Sequence, residues 1–152
     1  MVEIRSSTPT LDRIEKEMKF LRTHGVKVGV LGDKTNSEGV KVKEYATYLI
    51  LGTTNMPSRD FMKAIRGRRE RLEITRLQKE LLRKVFKGDI TARQCLDQLG
   101  IIAVQKLKEN ILRGDFAPLK QSTIDRKTRN KYNILRDSDT LINSLAYEVV
   151  RL

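Results

Sequence analysis

Leu11, Ile14, Met18 and Leu21 recur at steps of three and four, the spacing of one buried face on an amphipathic helix. Thr8 is placed to cap that helix, Pro9 suits its first turn and Gly25 ends it. The run Val26-Lys27-Val28-Gly29-Val30-Leu31 then alternates, which predicts a strand with one buried face. Gly32 to Gly39 is polar and bounded by glycine, so a mobile loop is expected there. Val42, Tyr45, Ala46 and Leu49 return to helical spacing in a segment that Gly52 closes.

Beyond a turn at Pro57, Phe61 opens a long helical stretch that reaches about Lys87. Its apolar positions do not form one stripe. Phe61, Ile65 and Leu72 share a face, whereas Ile74, Leu77, Leu81 and Val85 lie on the far side at 100° per residue. Between them Arg66 to Arg71 (RGRRER) holds no apolar side chain and includes Gly67. Either the helix breaks near Gly67, or its two halves pack against different bodies. The unbroken helix is the expectation, with Ile74, Leu77, Leu81 and Val85 set against another subunit.

Gly88 ends this stretch, and Thr91-Ala92-Arg93-Gln94 has the form of a capping box. Leu96, Leu99, Ala103, Leu107 and Ile111 keep a steady stripe to about Arg113. Gly114 to Tyr132 is a polar, basic connection, expected to be mobile apart from a short helix over residues 122–127. Asp139 is placed to cap a short helix carrying Leu141, Ile142 and Leu145, and Ala146 to Leu152 reads as a closing strand. The 152 residues therefore form a single α+β domain: a small sheet packed against several helices, one of them long and central.

Composition narrows the chemistry. No apolar run approaches the roughly 18 residues needed to span a bilayer, and MVEIRSSTPTLD lacks the apolar stretch of a secretory signal. Cys95 is the single cysteine and His24 the single histidine, so neither a disulfide nor a zinc site of the usual kind is expected. Cys95 reads as a buried structural thiol, and His24 as a partner for a helix C-terminus. Asp137-Ser138-Asp139 reads as a helix start rather than a metal pair, and no GxGxxG or Walker pattern is present. No catalytic, cofactor or metal site is expected, and an enzyme is not.

Charge changes the picture more. Lys plus Arg number 31 against 19 Asp plus Glu, a net +12. Residues 63–87 alone hold ten cations against Glu70, Glu73 and Glu80. A second cluster contains Lys120, Arg126, Lys127, Arg129 and Lys131, opposed only by Asp125. Such clusters hold phosphates without reading sequence, or form a solvated face; Arg66, Arg68, Arg69, Arg76, Lys120, Lys127 and Arg129 are the candidates for DNA or an acidic protein surface. Aromatic residues make up only 5%, too few for a base-stacking surface.

Four segments, in order, resemble the small tail-completion and neck (head–tail joining) proteins of long-tailed bacteriophages. Ala46 to Thr53 (ATYLILGT) resembles the family's helix ending in Gly-Thr, with Gly52 in place and Ile50 and Leu51 where Glu and Phe are usual. Pro57-Ser58-Arg59-Asp60-Phe61-Met62 resembles Pro-Ala-Arg-Pro-Phe, with Asp60 replacing the second proline. Ala117-Pro118-Leu119 with Ser122-Thr123-Ile124 and Lys127 is similar to Pro-Leu…Thr-Ile…Lys. Leu135-Arg136-Asp137-Ser138, Leu141, Ser144-Leu145, Tyr147 and Val149 resemble the closing block, with Asp139 replacing a glycine.

The resemblance implies a non-enzymatic virion component, assembled in the host cytoplasm and placed at the head–tail junction or tail end. Its implied partners are connector, tail-terminator or tail-tube proteins and further copies of itself in a ring. That ring would lie close to the DNA passage, with non-specific DNA contact and no membrane partner. The alternative from charge alone is a sequence-independent nucleic-acid-binding accessory protein.

Overall fold

In this computed structural model the structure describes residues 9–36, 38–136 and 139–152. Helix α1 (Pro9–Thr23) runs directly into strand β1 (His24–Val30). Helices α2 (Val42–Leu51), α3 (Lys63–Arg66), α4 (Arg68–Lys87), α5 (Ala92–Arg113), α6 (Gln121–Arg126) and α7 (Thr140–Asn143) follow, and strand β2 (Leu145–Arg151) closes the chain. β1 and β2 pair antiparallel, from His24 opposite Arg151 to Val30 opposite Leu145, so segments more than a hundred residues apart meet in one sheet. This is a small α+β fold, with α5 packed against both strands.

The helix expected to end at Gly25 ends two residues before it. α1 stops at Thr23, and His24 is the first strand residue. His24 nonetheless serves the helix end: its ring stacks on Phe20 at 4.0 Å, and its Nδ1 lies 3.1 Å from the Phe20 carbonyl. The proposed Thr8 cap lies outside the described residues.

One core cluster gathers Val42, Ala46 and Leu49 of α2, Phe61, Leu107 and Ile111 of α5, and Leu141, Ile142 and Leu145 near the C-terminus. Phe61 is 1% exposed, and the Asn110 side-chain amide donates to its carbonyl at 3.0 Å. A second, smaller cluster holds Leu81 and Val85 of α4 against Cys95, with Leu77, Ile90 and Leu99 around it. α4 and α5 are thus an antiparallel hairpin with its own apolar seam. Cys95 is buried there, and desolvation pushes its thiol pKa up.

This seam overturns the assignment of Leu77, Leu81 and Val85, of the set Ile74, Leu77, Leu81 and Val85, to another subunit. The stretch from 61 to 87 is two helices: Gly67, at φ −58° and ψ 157°, interrupts it between Arg66 and Arg68. The extended ψ turns the chain, so Phe61 and Ile65 reach the first cluster while Leu81 and Val85, at 3% and 2% exposure, reach α5 within the same protomer. Leu77 packs on the same cluster and Ile74 is half-buried. Leu72, expected beside Phe61, is instead 59% exposed, because the break rotates it away.

α1 lies across the turn that joins α4 to α5 and satisfies both helix ends. Arg13 donates to the carbonyls of Val85 and Phe86 at 2.9 and 2.8 Å in the last turn of α4, where the Gly88 amide also donates to Val85. Four residues on, Glu17 accepts from the Ala92 amide at the start of α5. Each charge has the sign the helix dipole favours. The capping box is formed as expected: the Gln94 amide donates to Thr91 Oγ1 and the Thr91 amide to Gln94 Oε1.

Candidate docking groove

The connection from α2 to Phe61 is built on Gly52. Its φ of 77° is in the left-handed region, and a Cβ there would sit 2.8 Å from the Ser58 backbone nitrogen. The chain then folds back: Thr53 and Met56 form a bridge, Ser58 Oγ donates to the Ile50 carbonyl, and the Arg59 amide donates to Leu49 O at 2.7 Å. Pro57 stands at this turn, and Arg59 is carried inward beside Phe61.

Arg59 is 6% exposed. Its Nε donates to the Ala117 carbonyl and its Nη2 to the Pro118 carbonyl, each at 2.9 Å. A buried guanidinium is tolerable only when its donors are used, and here it clasps a segment far along the chain. Leu119 and α6 follow that clasp.

A second cation organises what comes after α6. Lys127 Nζ donates to the carbonyls of Asn130, Asn133 and Arg136 at 2.9, 2.7 and 2.8 Å. The loop around it holds Asn130 at φ 46° and Leu135 at φ 61°, conformations that a non-glycine residue keeps only when its surroundings impose them. Leu135 is buried, and the Lys127 ammonium ties three carbonyls together.

Arg136 forms a fork with Asp139, Nε to Oδ1 at 2.7 Å and Nη2 to Oδ2 at 3.2 Å. The hydrogen bond from Arg136 holds the Asp139 carboxyl below its usual range, aided by the charges of Arg136 and Lys127 and opposed by slight desolvation. The same bond raises Arg136. Asp139 precedes α7 as expected but makes no side-chain cap; its carboxylate is engaged by Arg136, and its φ is 57°. Asp137 lies outside the described residues.

Between α2, the Met56–Arg59 turn, α6 and the start of α7 lies a groove of about 570 Å³. Val42, Leu49, Leu135 and Leu141 line it as buried apolar residues, while Lys120 and Arg126 are exposed cations along it. All four segments quoted for the phage resemblance contribute to its wall: Leu49, Pro57 with Arg59, Leu119 with Lys127, and Leu135 with Leu141. The arrangement presents cations, hydroxyls of Ser122 and Thr123, and apolar walls, a set suited to recognition. Among the described residues, no three of His, Cys, Asp and Glu come together as a metal centre would require.

The structure sorts the expected cation candidates into different jobs. Lys127 gives its three recorded hydrogen bonds to the carbonyls of Asn130, Asn133 and Arg136. Arg66 pairs with Asp60 at 2.6 Å, which sets it against its own turn. Among the described residues the buried Asp60 Oδ1 has no hydrogen-bond partner, so the carboxylate that stands in place of the resembled proline is only half used there. Arg69 lies 3.7 Å from Glu73. Arg68 and Arg76 are exposed on α4, and Lys120 and Arg129 are exposed near the groove. The clasp by Arg59 was not anticipated; an arginine between a turn proline and a core phenylalanine was its visible signal.

Comparison with known protein families, with curated proteins and with solved structures finds no match for this chain.

Proposed function

We propose that this protein is a non-enzymatic structural component of a long-tailed phage virion, acting at the head–tail junction or tail end as one subunit of a ring. The observation that carries the proposal is the convergence around one groove of the four segments that resemble neck and tail-completion proteins. Arg59 of the second segment physically clasps Ala117 and Pro118 of the third.

On this reading the groove receives a segment of a neighbouring virion protein that carries an apolar side chain flanked by carboxylates. The apolar walls of Leu135 and Leu141 accept the first, and the exposed Lys120 and Arg126 complement the second. The test is incorporation into purified tails or neck rings, followed by sedimentation. Wild-type protein is expected to co-sediment with the particles, and the double variant Lys120→Glu/Arg126→Glu to remain in the supernatant with an unchanged melting curve. Wild-type protein that stays soluble beside both heads and tails would overturn the assignment.

A further inference from the structure

Seen down the helix axis, α4 has a sorted surface. Leu81 and Val85 define its buried side. On the opposite side Arg68, Leu72, Arg76, Lys79, Arg83 and Phe86 fall within about 40° of a single line, and all six are exposed. The cations run from Arg68 to Arg83, a length of about 22 Å at 1.5 Å per residue. The carboxylates of α4 stand elsewhere. Glu70 is half-buried, Glu73 accepts from Lys106 of α5 at 2.9 Å, and the exposed Glu80 stands about 80° round the helix from the centre of this line. Among the described residues Arg68, Lys79 and Arg83 have no ion-pair partner, and Arg76 acts on Glu73 only from a distance.

Like charges one turn apart on a helix repel, so Arg76, Lys79 and Arg83 together are an unfavourable arrangement in the isolated chain. A second copy is a poor source of the missing anions, because two chains of net charge +12 repel one another. A membrane surface fits poorly, because the apolar side of α4 is spent on α5 and only Leu72 and Phe86 are exposed with the cations. What matches a straight row of four unpaired cations is a regular row of phosphates. Phe86 is the sole aromatic residue on the face, so stacked single-strand bases are not the ligand.

We propose that the outer face of α4, through Arg68, Arg76, Lys79 and Arg83, binds the phosphate backbone of duplex DNA without reading its sequence. This site is separate from the groove and does not rest on the virion assignment. Neutralising four phosphates releases their counterions, so affinity falls with salt along a log–log slope of about −3 to −4.

The test is fluorescence anisotropy with a mixed-sequence duplex of about 30 bp, titrated between about 50 and 200 mM salt. Wild-type affinity should fall by about two orders of magnitude over that range. The variant Arg76→Glu/Lys79→Glu/Arg83→Glu should bind more than about tenfold more weakly at low salt, with a slope reduced by about three. A control of equal charge change on α1, Lys16→Glu/Lys19→Glu/Arg22→Glu, should lose affinity modestly and keep the slope. Because the substituted side chains are exposed, the stripe variant should melt with the parent; if it does not, the glutamine triple variant at the same positions gives the reading. Equal slope losses in the stripe and control variants would overturn the proposal. So would the absence of duplex binding by wild type, or tighter binding to poly-glutamate than to the duplex, which would mark an acidic protein as the partner.

Discussion

Arg59 and Pro118, 59 residues apart in the chain, are joined by a 2.9 Å hydrogen bond from a guanidinium to a carbonyl. The same guanidinium holds Ala117, so one side chain ties the turn that delivers Phe61 to the segment that leads into α6. Hydrogen bonds to charged groups contribute about 1.5–3 kcal/mol each. Arg59→Ala should therefore lower stability by several kcal/mol, read as a lower urea midpoint. Arg59→Lys should recover little, because a single ammonium lacks the planar fork that reaches two carbonyls.

Leu81 and Val85 belong to the α4–α5 seam, so charge placed beside them should unfold the isolated chain. Leu77→Asp should lower the melting temperature markedly, and Leu81→Ala should cost about 2–5 kcal/mol. Phe61→Ala in the other cluster should cost about 3–5 kcal/mol. A Leu77→Asp protein that melts with the parent but fails to assemble would restore the subunit-interface reading.

Gly100 and Tyr147 set the distance between α5 and β2. A Cβ on Gly100 would collide with the Tyr147 ring at Cδ2 and Cγ. Gly100→Ala should destabilise by about 1–3 kcal/mol through overpacking. In a Tyr147→Ala background the same substitution should cost much less, and a double-mutant cycle by chemical denaturation measures the coupling.

Arg13 and Glu17 join α1 to the ends of α4 and α5. Arg13→Ala and Glu17→Ala should each cost about 1 kcal/mol, the scale of a helix-end charge or cap. The double variant should cost about the sum, since the two side chains serve different helix ends; thermal melts of all three check this.

Asp139 supplies a pH signature. Its folded-state pKa is depressed by Arg136, so the folded state binds this proton less readily than the unfolded chain. Its contribution to stability is complete above the unfolded carboxyl pKa and is lost as pH falls through the depressed folded value. Wild type should lose stability over that acid range, and Asp139→Asn should flatten this part of the profile. The readout is the urea midpoint followed from neutral to strongly acidic pH.

Local pattern alone determined much of this protein. The spacing of Val42, Ala46 and Leu49, the Thr91–Gln94 box, the stripe through Leu107 and Ile111, and the alternating valines of β1 each depend on neighbours within a few residues. That is the range over which sequence dictates backbone conformation. For the same reason Phe61 was legible as a core anchor, and the quoted segments marked most of the groove.

Tertiary structure decided the rest. Gly67 permitted either a continuous helix or a break, and the choice fell to α5, which offered Leu81 and Val85 a burial site that an unbroken helix could not reach together with Phe61. The jobs of the cations were likewise decided at a distance. Arg13 and Arg59 look like ordinary surface charges in sequence, and only the arrival of carbonyls from distant parts of the chain turned them into ties. A charged side chain's role depends on which acceptors the fold brings to it, and for Arg13 and Arg59 those acceptors lie dozens of residues away.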